Sequence, residues 1–319
     1  MARHELGPAT LAVSQAVAGA LTEADSHLLV ACSGGADSLA LAFGALRAAT
    51  THRRQLTAMV VDHALQPGSA AVAERARDQL CELGIAEVVI SRVTIDPGQG
   101  GLEAAARRAR YAALEAEATT RQATIWLAHT LDDQAETVLL GLARGSGPRS
   151  LTGMAARSGR LVRPLLGLRR SVTERACTEL GLNPWWDPHN VDRRFARVRA
   201  RATVLPTLEA ELGPGIVEAL ARTAALARDD ADLLDQLAAE ADPGTDTLDC
   251  AALLALPAAL RTRVLRRWLL RHGADEATMQ HVGMVDGLVT GWRGQGPADL
   301  PGLRVTRHDG SVRAEVRGR

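Results

Sequence analysis

The chain of 319 residues contains no lysine, so all 37 of its Lys/Arg positions are arginine. That absence excludes several chemistries at once. A Walker-type phosphate loop needs a Gly-Lys-Ser/Thr ending, and neither a Schiff base nor a self-adenylated lysine can form. Aromatic residues make up 3% of the chain, too few for a surface that stacks many bases. Net charge is absent as well, with 37 acidic residues against the 37 arginines, so any nucleic-acid site has to be a local patch. Cys32, Cys81, Cys177 and Cys250 stand apart without a Cys-x-x-Cys, which leaves disulfide scaffolding and zinc spacing unsupported. No apolar run approaches a membrane span, and the N-terminus lacks a secretory pattern. The expected setting is a cytoplasmic one, with buried free thiols and no membrane.

A hydrophobic content of 46% marks a folded globular chain, and the length favours two domains, 1–212 and 213–319. The most informative stretch lies near the start. His27–Cys32 reads as a buried parallel strand, and Leu39–Phe43 belongs to a core-facing helix. Between them, Ser33-Gly34-Gly35-Ala36-Asp37-Ser38 offers bare backbone N–H groups that can wrap an anion at a helix N-terminus. Ordinary capping explains Asp37 or Ser38 alone, but not two serines, two glycines and the acid together. The adjacent glycines do not fit the G-x-G-x-x-G spacing of dinucleotide folds.

Further strands are expected over Gln55–His63, Glu87–Val93 and Thr124–Ala128, alternating with helices over Ala70–Leu83, from Leu102, and over Asp132–Arg144. Such alternation predicts an α/β fold with a doubly wound parallel sheet, whose ligands sit beyond the strand C-termini. Ser33, Asp62 and His129 all fall there. Beyond Leu205-Pro206 the alternation stops, and Gly213-Pro214-Gly215 reads as a boundary to a mostly helical domain. Two short β-like runs there, Leu303–Thr306 and Val312–Val316, flank an Asp309-Gly310 turn.

Four charged constellations stand out. On the helix after His129-Thr130, Asp133 and Glu136 lie within about 60° of each other, with Asp132 beside Glu136. A Thr130/Asp133 capping box accounts for one or two acids; a third near a phosphate site needs a cation. Arg107 and Arg110 share a stripe with Glu103, and an i, i+4 pair explains Arg107 only, leaving Arg110 for an anion. Arg193, Arg194, Arg197, Arg199 and Arg201 form a run without an acid, suited either to a solvated face or to a phosphate backbone. A stripe of Arg263, Arg266, Arg267 and Arg271 in the second domain is open to both readings. His63, His129 and His189 have neither metal-ligand spacing nor a serine partner.

The string at 33–38 resembles the PP-loop of the N-type ATP pyrophosphatases. With V-D-H-A-L-Q-P-G-S (61–69), L-E-A-A-A-R-R-A-R-Y (102–111), H-T-L-D-D-Q-A-E-T (129–137), R-G-S-G (144–147), R-P-L (163–165) and V-L-P (204–206), the chain is similar to the tRNA(Ile)-lysidine synthetases over roughly residues 28–210. It departs from them at Ala64 and Gln66, at Thr130, and at Val198, Ala202 and Thr203.

The resemblance implies ATP-dependent ligation of free L-lysine to C2 of the wobble cytidine in the CAU anticodon of tRNA(Ile), through an adenylated intermediate, with AMP and pyrophosphate released. It also implies roles. Ser33, Gly34, Gly35, Ala36 and Ser38 hold phosphates, Val61 and His129 line the nucleotide site, and Asp37 and Asp133 hold Mg²⁺. Asp133 and Glu136 take Mg²⁺ or the lysine ammonium. Arg107 or Arg110 steadies the α-phosphate, and Arg194, Arg197, Arg199 and Arg201 contact tRNA. A tRNA thiolase on the same loop and a non-catalytic nucleotide or RNA binder are the alternatives. A homodimer is left open as the assembly.

Overall fold

Six strands, β1 (His27–Cys32), β2 (Gln55–Asp62), β3 (Val88–Arg92), β4 (Thr124–Trp126), β5 (Arg157–Ser158) and β6 (Leu161–Val162), form one sheet in the order β3-β2-β1-β4-β6-β5. Only β5 runs antiparallel to its neighbour. This computed structural model describes residues 6–64, 68–95, 101–145, 147–187, 191–274 and 277–316, without the Glu103 side chain. The Glu103 partner expected for Arg107, Leu65-Gln66-Pro67, the Pro97–Gly100 loop, Ser146 and Pro188-His189-Asn190 lie outside the described residues.

The central position of β1 follows from its composition. Leu28, Leu29 and Val30 are wholly buried, each contributing roughly 1.5–3 kcal/mol by leaving water, and the sheet is covered on both faces as parallel strands require. Helices α1 (Pro8–Ala20), α2 (Ala36–His52), α3 (Ser69–Glu82), α4 (Gly101–Arg121), α5 (Leu131–Arg144) and α6 (Arg170–Glu179) supply that cover. The sequence pattern does not announce α1, because its N-terminus has no local cap. The cap comes from far along the chain: the Glu179 carboxylate accepts the Ala9 and Thr10 N–H groups at 3.0 and 2.8 Å.

A short helix α7 (Ala196–Arg199) runs through a π-helical turn at Ala200–Val204 into α8 (Leu205–Leu212), and α9 (Ile216–Ala241) follows. The chain divides into two compact units, Met1–Leu140 with Met154–Ala221, and Gly141–Gly153 with Arg222–Arg319. The second unit contains β7 (Thr247–Asp249), α10 (Cys250–Ala255), α11 (Ala258–Arg271), α12 (Met279–Thr290), β8 (Ala298–Leu300), β9 (Leu303–His308) and β10 (Ser311–Val316). Its helices pack on an antiparallel sheet in the order β7-β10-β9-β8, around the fully buried Trp268, Val285 and Val305. Strands β7 and β8, at three residues each, are too short to display a period of two.

Candidate active site

The turn after β1 is held open from below. Gly34 takes φ +80°, a left-handed value open to glycine, and a Cβ there would stand 3.1 Å from that of Ala76 on α3. Its N–H donates to Cys32 Sγ (3.4 Å), and the Ser38 hydroxyl accepts the Ser33 N–H (3.1 Å) while donating to the Gly35 carbonyl (2.8 Å). Cys177 Sγ donates to the Ala36 carbonyl at 3.3 Å. Among the described residues the N–H groups of Gly35, Ala36 and Asp37 have no hydrogen-bond partner. They open the N-terminus of α2, where the helix dipole favours an anion. Both sulfurs thus brace the turn; burial pushes the Cys177 thiol up to about 12 and raises that of Cys32, so both stay neutral.

Beside this turn stands a carboxylate cluster assembled from two helices. Asp37 comes from α2, and Asp133 and Glu136 come from α5. One guanidinium joins all three: Arg170 Nε lies 3.2 Å from Asp37, Nη2 2.8 Å from Asp133 and Nη1 3.6 Å from Glu136. Glu136 is wholly buried and takes two more arginines. Arg201 grips both of its oxygens at 2.6 and 3.2 Å. Arg197 Nε stands 3.2 Å away at an angle too poor for a hydrogen bond, while its Nη2 donates to the Thr137 hydroxyl at 2.8 Å. Three carboxylates therefore meet three guanidiniums, which offsets part of the cost of burying either set.

The ionisation of the cluster follows from these contacts. Burial raises Asp37, against the opposing pull of Arg170 and the Thr173 hydroxyl. For Asp133 burial acts the same way but is outweighed by Arg170 and by the Thr130 N–H, so its carboxyl is lowered. Arg170 is held protonated, because Asp133, Asp37 and Glu136 outweigh its desolvation. Asp133 reaches back to both the N–H (2.8 Å) and the hydroxyl (2.9 Å) of Thr130, the N-terminal contact expected for α5. Asp132 instead turns away from Glu136. It accepts the Arg170 N–H at 2.8 Å and so caps the first turn of α6.

A second group of polar atoms lies on α4 and at the ends of β2 and β4. Tyr111 carries the Arg107 guanidinium 4.9 Å and that of Arg110 5.6 Å from its ring centre. Arg110 Nε, His63 Nδ1 and His129 Nδ1 are buried without a hydrogen-bond partner. Burial lowers Arg110, and the charges of Arg107 and Arg197 act in the same direction; an anion would relieve all three. Burial also lowers His129 to about 4, against Asp133 and with help from Arg163, Arg110 and Arg107, so the ring is neutral at physiological pH. Val61 is half-buried at the end of β2, paired in register with Ser91.

The arginine run divides in two. Arg197 and Arg201 face the carboxylate cluster. Arg193, Arg194 and Arg199 are exposed, Arg194 being paired with Asp192 at 2.7 Å and Arg199 donating to the Arg193 and Arg194 carbonyls at 2.8 and 2.7 Å. In the second unit Arg263 pairs with Asp235 at 2.9 Å, and Arg267 and Arg271 close on Asp242, so little of the α11 stripe is free for an external anion. Sequence reasoning missed Arg170. Its only signal is an arginine opening a helix, with nothing local to aim it at Asp37 or Asp133.

Residues 10–208 match the PP-loop domain family, and residues 248–313 match the TilS substrate binding domain. The chain is 56% identical over 290 residues to the tRNA(Ile)-lysidine synthase of Mycolicibacterium paratuberculosis, covering 88% of each chain. It is 50% identical over 315 residues to that of Thermobifida fusca, covering 96% of this chain and 97% of the other. Among solved structures it resembles in fold the U34-tRNA thiolase NcsA from Methanococcus maripaludis with its [4Fe-4S] cluster. There the TM-score is 0.54 and the identity 17%, over 68% of this chain and 78% of the other.

Proposed function

The chain belongs to the tRNA(Ile)-lysidine synthase family, and from that premise we propose that it joins free L-lysine to C2 of the wobble cytidine in the CAU anticodon of tRNA(Ile), at the expense of ATP. The observation that carries the reading is the set of partnerless amides at Gly35, Ala36 and Asp37, beside a carboxylate cluster held by three arginines. Anion and cation subsites adjoin, as the condensation of a triphosphate with an amine requires.

In the first step the C2 carbonyl oxygen of cytidine attacks the α-phosphorus, and the bond from that phosphorus to the bridging oxygen breaks, releasing pyrophosphate. The turn at Ser33–Ser38 holds the leaving phosphates. Arg110, with Arg107 beside it, sits where positive charge is uncompensated and steadies the negative charge on the pentacoordinate phosphorus. The main chain at Val61 and the neutral His129 line the nucleotide's other end. In the second step the ε-amine, having lost its proton, attacks C2; the C2–O bond breaks and AMP leaves with the oxygen. Asp133 orients the incoming amine.

Asp37 opens α2 beside the phosphate turn and offers a hard oxygen donor that Arg170 now holds at 3.2 Å. That donor fits Mg²⁺, which is held through one or two carboxylates together with phosphate oxygens. When bound, Mg²⁺ neutralises charge developing on the pyrophosphate. The exposed Arg194 and Arg199, and the second unit, grip the tRNA. A cytoplasmic setting follows from these substrates.

The test is Asp37→Ala. It removes a metal ligand while leaving Arg170 with Asp133 and Glu136, so the fold survives. Transfer of AMP from labelled ATP to tRNA should fall at least about 100-fold, and unchanged pyrophosphate release would remove Asp37 from the chemistry. Labelled lysine entering tRNA, with no incorporation of sulfide, separates this reading from a thiolase.

A further inference from the structure

We infer that Arg170 is the resident cation of the carboxylate cluster, a positioning residue that must leave Asp37 and Asp133 before the substrate amine can bind, and that nucleotide binding dislodges it. This rests on the ligase reading above and adds an order of events to it.

Each carboxylate oxygen is accounted for. One oxygen of Asp133 is tied to Thr130 and one of Asp37 to Thr173. Both oxygens of Glu136 are gripped by Arg201. The oxygens left for a substrate cation are Asp133 Oδ1 and Asp37 Oδ2. Arg170 takes both, at 2.8 and 3.2 Å, with Arg201 Nη2 farther off at 3.6 Å from Asp133 Oδ1. An ammonium or a metal ion brought to either oxygen meets this guanidinium first.

The chain around Arg170 suits a side chain that moves over a backbone that does not. Its N–H is fixed on Asp132 at 2.8 Å, and its carbonyl accepts the Thr173 hydroxyl at 2.7 Å. The first turn of α6 is therefore anchored. The side chain is 19% exposed, and its long aliphatic stem lets the head swing without disturbing that turn. By contrast Arg201 holds a wholly buried carboxylate bidentately, the geometry that loses most on breaking.

Charge balance sets the order. With three guanidiniums on three carboxylates the cluster is neutral, and adding an ammonium alone leaves an uncompensated positive charge in a half-buried site. A triphosphate with its metal arrives with net negative charge at the neighbouring amides. Arg170 can then turn from Asp37 to phosphate, and Asp133 Oδ1 becomes free for the amine. Nucleotide first and lysine second is the order this geometry favours, a coupling between two sites through one element with two positions.

Calorimetry on the full chain tests it. L-lysine is titrated alone, and again in the presence of Mg²⁺ with a non-hydrolysable ATP analogue. Wild type should bind lysine at least about ten-fold more tightly with the nucleotide. Arg170→Gln should bind lysine without nucleotide about as tightly as wild type does with it, while its kcat falls; a merely structural defect would weaken both. Arg170→Lys, which keeps the charge but contacts one oxygen at a time, should fall between and serves if the glutamine variant does not fold. Lysine affinity that ignores bound nucleotide in wild type, or no gain in either variant, overturns the inference and leaves the ligase reading standing. Failure of the analogue itself to bind overturns both.

Discussion

Arg201 closes on both carboxylate oxygens of Glu136, with its Nε 2.6 Å from one and its Nη2 3.2 Å from the other, although 65 residues separate the two in the chain. The contact ties α5, which carries Asp133 and Glu136, to the π-helical turn between α7 and α8. Glu136 is wholly buried, with both of its oxygens on Arg201.

Glu136 and Arg201 should therefore couple in a double-mutant cycle. Replacing Glu136 with Gln strands Arg197 and leaves Arg201 only the Asp133 carboxylate at 3.6 Å, but both arginines are about one-third exposed and can turn to water. The expected cost is about 2 kcal/mol, below the ~3–5 kcal/mol of a fully enclosed pair. Urea unfolding of the two single variants and the double should give a coupling of ~1–2 kcal/mol. Strict additivity would mean that the pair does not hold the helices together.

Gly34→Ala tests the shape of the phosphate turn. A left-handed φ costs a non-glycine residue about 1–2 kcal/mol, and the new methyl group would press on Ala76. Stability should fall by about that much. Nucleotide affinity should fall further, because α3 cannot yield without moving the amides. Thermal unfolding together with ATP titration separates the two effects, and a variant that binds ATP normally would show that the turn tolerates a wider backbone.

His129 gives a pH signature. Its folded value of about 4 lies below the ~6.5 of an unfolded histidine, so between those values the unfolded chain binds more protons. Stability should be steady above pH 6.5 and decline as pH falls towards 4. Burial lowers His27 and His63 too, adding in the same direction. His129→Gln should lose part of the decline between pH 7 and pH 5 in urea midpoints. An unchanged decline would mean that the imidazole is not held neutral.

The parts of this site readable in the sequence are those encoded locally. Ser33–Ser38 is a contiguous string whose glycines and serines have one economical explanation, and the spacing of Asp133 and Glu136 places them on one helix face by geometry alone. What the sequence pattern hides are partners brought together by the sheet. The acid cluster reads as needing an external cation, since nothing near residue 170 points to residues 37 or 133. Asp132 reads as a third member of the cluster, because helical spacing cannot say that α6 begins opposite it. The N-terminal helix escapes because a distant segment supplies its cap, and the strands β5 to β8, at two or three residues each, are too short to show a period of two.

The arginine run is where sequence and structure part most usefully, and it carries the last prediction. Read in one dimension it is a single basic patch; in three, Arg197 and Arg201 are spent on Glu136 while Arg194 and Arg199 face solvent. Arg199→Ala should leave the unfolding midpoint within about 0.5 kcal/mol of wild type and reduce the slope of log affinity against log salt for tRNA by about 1. Arg201→Ala should do the reverse, leaving the salt slope almost intact while destabilising the fold. Arg194, held by Asp192, should give a smaller change in slope than Arg199, because its charge is already half-neutralised. Filter binding of tRNA from low to moderate salt, run beside urea unfolding for each variant, distinguishes the classes. Equal effects on the salt slope from Arg199 and Arg201 would show that the Glu136 contact opens when tRNA binds, and that the whole run then lies on the phosphate backbone.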